Sequence, residues 1–286
     1  MPPAAASALA LIANPASGAG TDPESLAAEL RRLGARVELF EPGQAEAAAG
    51  SGAERMVVAG GDGSVAPAAA AAGSAGVPLA VIPVGTANDF ARSLGLPRSP
   101  ADAMRLAVEG TSLRRLDLGR INGRPFVNAA SAGLAAQAAT EAGGLKKLLG
   151  PLAYALGALL AGVRERPLRC DLRLDGEGFF AGGAWQVTVA GTGSFGAGSR
   201  LESAAPDDGR LDVAVIEAGS RLRLVAHAYS LRVGRLTRRS DVRHARARTM
   251  ELLVAPDTAF NVDGEVVALG SVKVDVEPGA FELVVR

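Results

Sequence analysis

The chain has 286 residues, 48% apolar and 21% charged, with a formal net charge of zero; it is too apolar to be disordered and too neutral to bind nucleic acid by bulk charge. Its single cysteine, Cys170, rules out an internal disulfide and any cluster of thiolate metal ligands, and suits a reducing compartment. The Ala-rich residues 4–13 have no basic residue before them and run straight into Asn14-Pro15, so export is not expected and a cytoplasmic protein is. Residues 8–13 read as a strand, Asp22-Pro23-Glu24 as the cap of a helix ended by Gly34, and residues 36–40 as a second strand. Apolar runs at 55–59 and 79–82 read as buried strands, each followed by a Gly-rich loop and an Ala-rich helix. Ser99-Pro100-Ala101-Asp102 opens a last helix that Gly110 closes. This βαβα order predicts a mostly parallel sheet covered by helices.

After Thr111 the texture changes. Asn122-Gly123 lies between strand-like residues 116–121 and 125–128, and Asp175-Gly176 between 169–174 and 179–180, both with two-residue hairpin chemistry. Further short strands at 185–190, 211–216, 251–255 and 272–276 predict a mostly antiparallel second domain, with the cut near residue 118: 1–118 and 119–286. Residues 148–163 form the longest apolar run, but Pro151 and several glycines interrupt it, and it reads as a core or amphipathic helix rather than a membrane span.

Two loops carry the chemistry. Gly60-Gly61-Asp62-Gly63-Ser64 and Gly85-Thr86-Ala87-Asn88-Asp89-Phe90 both stand where a strand ends and a helix begins, the edge of an α/β sheet at which ligands bind. Glycine there lets backbone N–H groups close around a phosphate, and an Asp in each loop suggests a nucleotide with a metal. Gly60, Gly61, Gly63 and Ser64 are the expected phosphate cradle, and Thr86, Asn88 and the loop of Asn14, Pro15, Ser17 and Gly18 the rest of an ATP pocket. His227 and His244 have no metal-ligand partners at useful spacing and read as structural or surface residues.

The chain resembles the diacylglycerol kinase catalytic-domain family, in its bacterial lipid kinase branch. The resemblance rests on Asn14-Pro15-Ala16-Ser17-Gly18, the GGDGS loop, Pro83-Val84-Gly85-Thr86-Ala87-Asn88-Asp89-Phe90-Ala91-Arg92, Gly150-Pro151-Leu152-Ala153-Tyr154, Pro206-Asp207-Asp208-Gly209-Arg210-Leu211-Asp212-Val213 and Asp263-Gly264-Glu265, in that order. It implies an N-terminal α/β nucleotide-binding domain and a C-terminal β-sandwich of NAD kinase and diacylglycerol kinase type, with the active site in the cleft between them. It further implies ATP-dependent phosphoryl transfer to a lipid hydroxyl, with Mg²⁺. Asp62, Asp89 and Asp208 would meet in a metal and water network, with a structural Mg²⁺ also held by the carbonyls of Ala205 and Arg210. Asp263 and Glu265 are the candidate catalytic bases, Glu265 slightly favoured. Two positions depart from the family: Ser64 stands where Thr is usual, and Leu39-Phe40-Glu41-Pro42-Gly43 lacks a Thr that contacts the nucleotide.

Asp-Gly is also the commonest hairpin turn, and the second DGE, Asp175-Gly176-Glu177, reads as a turn alone. Diacylglycerol or a related amphiphile is the expected acceptor. NAD kinase and sphingoid-base kinase are the rival enzymes, and a regulator that binds nucleotide or membrane without catalysis is the rival of another class. Between residues 221 and 248 nine Arg face one acid, Asp241, a basic tract suited to anionic lipid headgroups at a peripheral membrane contact on the inner face. Tyr229 is its only aromatic, which leaves no stacking platform for nucleic acid. A homodimer through edge strands is open.

Overall fold

The computed structural model describes residues 7–15, 17, 22–134, 136, 166–195, 199–201, 204–221, 223–233 and 235–286. The chain divides into two compact units, residues 1–118 with 278–286, and residues 119–277. Residues 278–286 thus group with the first unit, although the sequence places all of 119–286 in the second. Gly18, the Gly150–Tyr154 motif and the apolar run at 148–163 lie outside the described residues.

In the first unit β1 (Ala8–Ala13) pairs in parallel with β2 (Arg36–Phe40) and β3 (Arg55–Gly60), and β3 pairs in parallel with β4 (Leu79–Pro83). The end of a long last strand, β17 (Val272–Val285), returns to the unit and pairs Leu283 with Leu79 in parallel. Strands β1, β3 and β4 are almost wholly buried, which demands cover on both faces of the sheet. On one face α1 (Pro23–Arg32) and α5 (Pro100–Glu109) bring Leu26, Leu30 and Met104 onto Leu9, Leu11, Val57 and Ile82. Alternate residues Ala10, Ile12, Met56 and Val58 are buried on the opposite face, and α2 (Ala45–Ala49) and α3 (Asp62–Ala75) contact β1 and β3.

The helix signals in the sequence act as expected. The Asp22 carboxylate accepts the Ser25 N–H at 3.0 Å and Pro23 opens α1, while Ser99 and Pro100 do the same for α5. The Ala-rich helix expected after β4 is instead the short α4 (Asp89–Ser93), because Gly95 turns the chain at φ +67° and Pro97 follows. Gly73 of α3 is pressed against the returning strand: a Cβ there would stand 2.1 Å from the Ala280 carbonyl oxygen.

β5 (Ser112–Ile121) begins in the first unit, and its last residues, in the second, form a hairpin with β6 (Arg124–Phe126); β7 (Ala129–Gly133), β8 (Leu168–Leu174) and β9 (Glu177–Ala190) follow. The first half of β9 pairs with β8; its second half lies between β7 and β12 (Leu211–Glu217), all antiparallel. The expected separate strands at 179–180 and 185–190 are therefore one strand that serves two ladders. Beyond the two short strands β10 (Ser194–Phe195) and β11 (Ser199–Arg200), β13 (Val242–Ala247) pairs with β12, and β14 (Thr249–Leu253) bridges β8 and the start of β17. β15 (Ala259–Val262) and β16 (Glu265–Ala268) form a hairpin against β7. Leu172, Val187, Val189, Val213, Val215, Met250, Phe260 and Val274 form the second unit's main core. Cys170 is buried in it, and burial first and Asp171 second push its thiol up to about 11, which makes it a poor nucleophile.

The basic tract contains a helix that the sequence did not announce, α6 (Arg223–Arg232). Its His227 is buried, with Nε2 3.0 Å from Asp241 Oδ2, and Asp241 is also bound by Arg239 at 3.0 and 3.2 Å. Burial lowers the His227 imidazole below its ordinary 6.5, and hydrogen bonds from Arg239 and His227 hold Asp241 at about 2. Unfolding frees His227 to take a proton, so its contribution to stability is present above 6.5 and is lost as pH falls. That of Asp241 is complete above its ordinary 3.8 and is lost as pH falls toward about 2. The urea midpoint of the second unit is therefore expected to decline in two acid stages, the first absent in His227→Gln and the second in Asp241→Asn. A midpoint of unchanged pH dependence in both variants refutes the assignment.

Candidate active site

The first unit brings together most of its expected residues. Gly60 ends β3, Gly61 precedes α3 in extended backbone, and Asp62, Gly63 and Ser64 form the first turn of α3, so the positive end of the helix dipole faces the loop. Pro67 lacks the N–H that would bond back to the Gly63 carbonyl, which loosens that turn. Gly85 lies against this loop: a Cβ on Gly85 would stand 2.4 Å from Gly61 Cα, and one on Gly60 2.6 Å from Ser64 Cβ. Gly60 and Gly85 are thus required for room rather than for backbone conformation, since neither has a positive φ.

Asn14, just past β1, donates its backbone N–H to Ala59 at 3.1 Å, and its Nδ2 lies 3.5 Å from Ser64 Oγ. Ser17 donates its N–H to the Asn14 carbonyl at 3.0 Å, and Pro15 is exposed. Asp62 Oδ1 accepts the Phe90 N–H at 2.9 Å and thereby ties the two Gly-rich loops together. Asp89 is buried and pairs with Arg92 at 3.1 Å, while Thr86 is exposed. Asn88 is left-handed at φ +49°; its Nδ2 donates to the Gly85 carbonyl at 2.8 Å, but its Oδ1 is buried with no hydrogen-bond partner. A buried acceptor without a donor costs about 1–3 kcal/mol, and it sits beside a backbone cradle with no side chains. This arrangement fits a ligand with hydroxyl or amine donors and phosphate oxygens, as a nucleotide has.

In the second unit Asp263 and Gly264, at φ +47° and +93°, are the two turn residues between β15 and β16, and Glu265 opens β16. Asp175 and Gly176, at +49° and +86°, form the same turn between β8 and β9. The two DGE segments thus share a backbone, and both aspartates act as acceptors for main-chain amides. Asp175 Oδ1 accepts the N–H groups of Arg248 and Thr249 at 2.9 and 2.8 Å. Asp263 accepts three, from Val127 at 2.7 Å, Asn128 at 2.9 Å and Ala129 at 3.0 Å. Glu265 is different: its side chain is 57% exposed and pairs with Arg124.

Strand register sets these residues at one end of the sheet. Asp263 donates its N–H to Ala129, Ala129 pairs with Ala190, Ala190 with Asp212, and Asp212 with Arg246. Each step is one strand spacing, about 4.8 Å, so the first three set Asp212 roughly 14 Å from the DGE turn. The loop before β12 carries Ala205, Asp208 and Arg210, but Asp208 is already engaged. Its Oδ1 accepts the Arg210 N–H at 3.0 Å and its Oδ2 pairs with Arg246, whose Nε also lies 3.5 Å from the buried Asp212. His244 Nε2 is 2.8 Å from the other Asp212 oxygen.

These residues as they stand do not fit a Mg²⁺ held by Asp208 with the carbonyls of Ala205 and Arg210, because the Asp208 carboxylate is already taken up by the Arg246 guanidinium and the Arg210 N–H. Among the described residues no three His, Cys, Asp or Glu side chains converge as a metal site. Sequence reasoning gave no role to Arg124 and did not foresee that Arg246 pairs with Asp208 or that His244 and Arg246 meet at Asp212: only β-strand register brings these side chains together.

Comparisons with known proteins also divide the chain near residue 120, but keep residues 278–285 with the second part, as the sequence reading does. The diacylglycerol kinase catalytic domain matches residues 8–121, and the YegS C-terminal NAD kinase beta sandwich-like domain matches residues 128–285. A Pseudomonas aeruginosa protein named "Probable lipid kinase YegS-like" is 34% identical over 265 residues, 88% of this chain and 84% of the relative. A Bacillus subtilis diacylglycerol kinase is 31% identical over 195 residues, 65% of this chain and 62% of its own. A crystal structure of a diacylglycerol kinase from Bacillus anthracis superposes with a TM-score of 0.78 at 23% identity, covering 97% of this chain and 96% of that one. An Archaeoglobus fulgidus NAD kinase in complex with ATP shares the fold at a TM-score of 0.54 and 15% identity, covering 97% of this chain and 93% of its own. Two domain models in the expected order and a relative of this identity along most of the chain lead to one family: the chain belongs to the YegS-like lipid kinases that carry a diacylglycerol kinase catalytic domain.

Proposed function

We propose that the protein transfers the γ-phosphoryl group of ATP to the hydroxyl of a lipid, diacylglycerol or a closely related amphiphile. The observation that carries the ATP half is the buried, partnerless Asn88 Oδ1 beside the Gly61 and Gly85 backbones, an acceptor that a ribose hydroxyl or adenine amine satisfies. Family membership supports the lipid half, and the name of the Bacillus subtilis relative, a diacylglycerol kinase, supports diacylglycerol as the acceptor to test first.

A Mg²⁺ ion accompanying ATP would offset phosphate charge, and Asp62 and Asp89 are the residues of the two Gly-rich loops that would hold it. The α3 N-terminus and the amides of Gly61, Gly63 and Ser64 hold the phosphates. Glu265 takes the proton of the acceptor hydroxyl, that oxygen forms the new bond to the γ-phosphorus, and the bond from phosphorus to the bridging β,γ-oxygen breaks to release ADP. Asp263 positions: with its oxygens committed to three amides, it fixes the turn from which Glu265 projects. The experiment is transfer of labelled γ-phosphate from ATP to diacylglycerol, a sphingoid base, phosphatidylglycerol and NAD in mixed micelles. A labelled phosphatidic acid, lost in Asp62→Ala, is expected. A labelled sphingoid base or NADP as sole product overturns the acceptor; ATP binding without any product favours a regulator.

A further inference from the structure

We propose that the outer face of α6, with the turns at its two ends, is a docking surface for a bilayer bearing anionic headgroups. The helix has two apolar faces. Leu224, Leu231 and the buried His227 point inward, with the two leucines packed on the cluster of Trp185, Ile216 and Leu236. Tyr229 and Val233 lie four residues apart on the opposite side and are 70% and 39% exposed. A helix whose core-facing stripe is already buried gains nothing within the fold from a second apolar stripe, and a tyrosine with that exposure suits a membrane interface, where an apolar ring meets water.

Charge selects the occupant. From Arg221 to Arg238 the chain carries five Arg and no acidic residue, in a protein whose net charge is zero. Arg221 and Arg223 stand at the helix N-terminus, where the backbone dipole adds to their positive field, and Arg235 and Arg238 stand just past its C-terminal end; all four are exposed. Asp241 takes up Arg239 and reaches Arg223 at 3.6 Å, so the segment's positive excess is held partly by one acid outside it. Exposed apolar residues framed by arginine at both ends match the acyl boundary and phosphates of an anionic leaflet. A protein partner of equal fit needs a matching acidic groove, and a second copy of this chain would set like charges against each other.

Binding is read by co-sedimentation with vesicles of phosphatidylcholine alone or doped with phosphatidylglycerol, without ATP, so that the outcome is independent of the proposed reaction. The wild type is expected on the doped vesicles only, with release at high salt. Arg235→Glu with Arg238→Glu is expected to weaken it by about 100-fold, and Tyr229→Ser with Val233→Ser by at least ~10-fold. Unchanged circular dichroism and melting show that both pairs remain folded. Equal sedimentation of wild type and variants, absence of wild-type binding to doped vesicles, or a dimer that Tyr229→Ser with Val233→Ser dissociates would each overturn the proposal.

Discussion

Glu265→Gln is expected to lower kcat by about 10²–10⁴-fold, the usual contribution of a general base, while the melting temperature stays within a degree or two of wild type. Asp263→Ala, two residues away, is expected to do the reverse first and damage the fold. The physical difference is in what each carboxylate touches. Glu265 is 57% exposed and its ion pair to Arg124 is at the surface, where such pairs are worth about 0–1 kcal/mol. Asp263 accepts three main-chain N–H groups from a segment far away in the chain, and alanine leaves all three without their acceptor. At about 1 kcal/mol each in a half-buried turn, the loss is about 3 kcal/mol, or roughly 6–12 °C of melting temperature in a unit of this size. Calorimetry beside phosphotransfer kinetics separates the two. If Asp263→Ala melts like wild type and is inactive, Asp263 is the base and the assignments exchange.

The second large effect concerns two glycines that a sequence reader would treat alike. Gly85→Ala is expected to weaken ATP binding by well over 10-fold and to destabilise the first unit by at least ~2 kcal/mol, whereas Gly61→Ala is expected to be mild. A methyl on Gly85 would be driven to 2.4 Å from Gly61 Cα and 2.9 Å from Asn88 Oδ1, which are backbone and a buried amide with no room to yield. A methyl on Gly61 meets only Gly85 Cα, at 3.4 Å. Titration calorimetry with ATP measures the asymmetry directly, and Gly43→Ala, which meets nothing within 4 Å, is the neutral control. Equal affinities in all three variants would remove the cradle from the nucleotide site.

The sequence was most readable where structure is local. Strands ending in Gly-Gly or Gly-Thr, helices opened by Asp-Pro or Ser-Pro, and Asn-Gly and Asp-Gly turns each declare themselves within a few residues, because capping and left-handed backbone depend on adjacent atoms. Together they give the α/β unit, the β-rich unit and the two Gly-rich loops. What stayed hidden is set by register. The partners of Asp263 lie more than 130 positions back in the chain, and Arg246 reaches Asp208 only because β13 pairs with β12 residue by residue. A metal-like Asp-Asp-Gly turn and an arginine-paired one read the same until that pairing is known. The helix at 223–232 was hidden for another reason: with apolar residues on two faces, it lacks the single stripe that betrays a surface helix.

The return of residues 278–286 to the first unit bears on how the protein comes to be made. Leu283 pairs with Leu79, and Gly73 closes on Ala280, so the sheet that starts at residue 8 is completed by residues the ribosome joins after all of 119–277. Until then β4 offers an open edge, the kind of feature that recruits stray strands. An emerging chain cannot seal its nucleotide unit by folding from the N-terminus onward, and its slowest step is expected to be the late capture of its own tail.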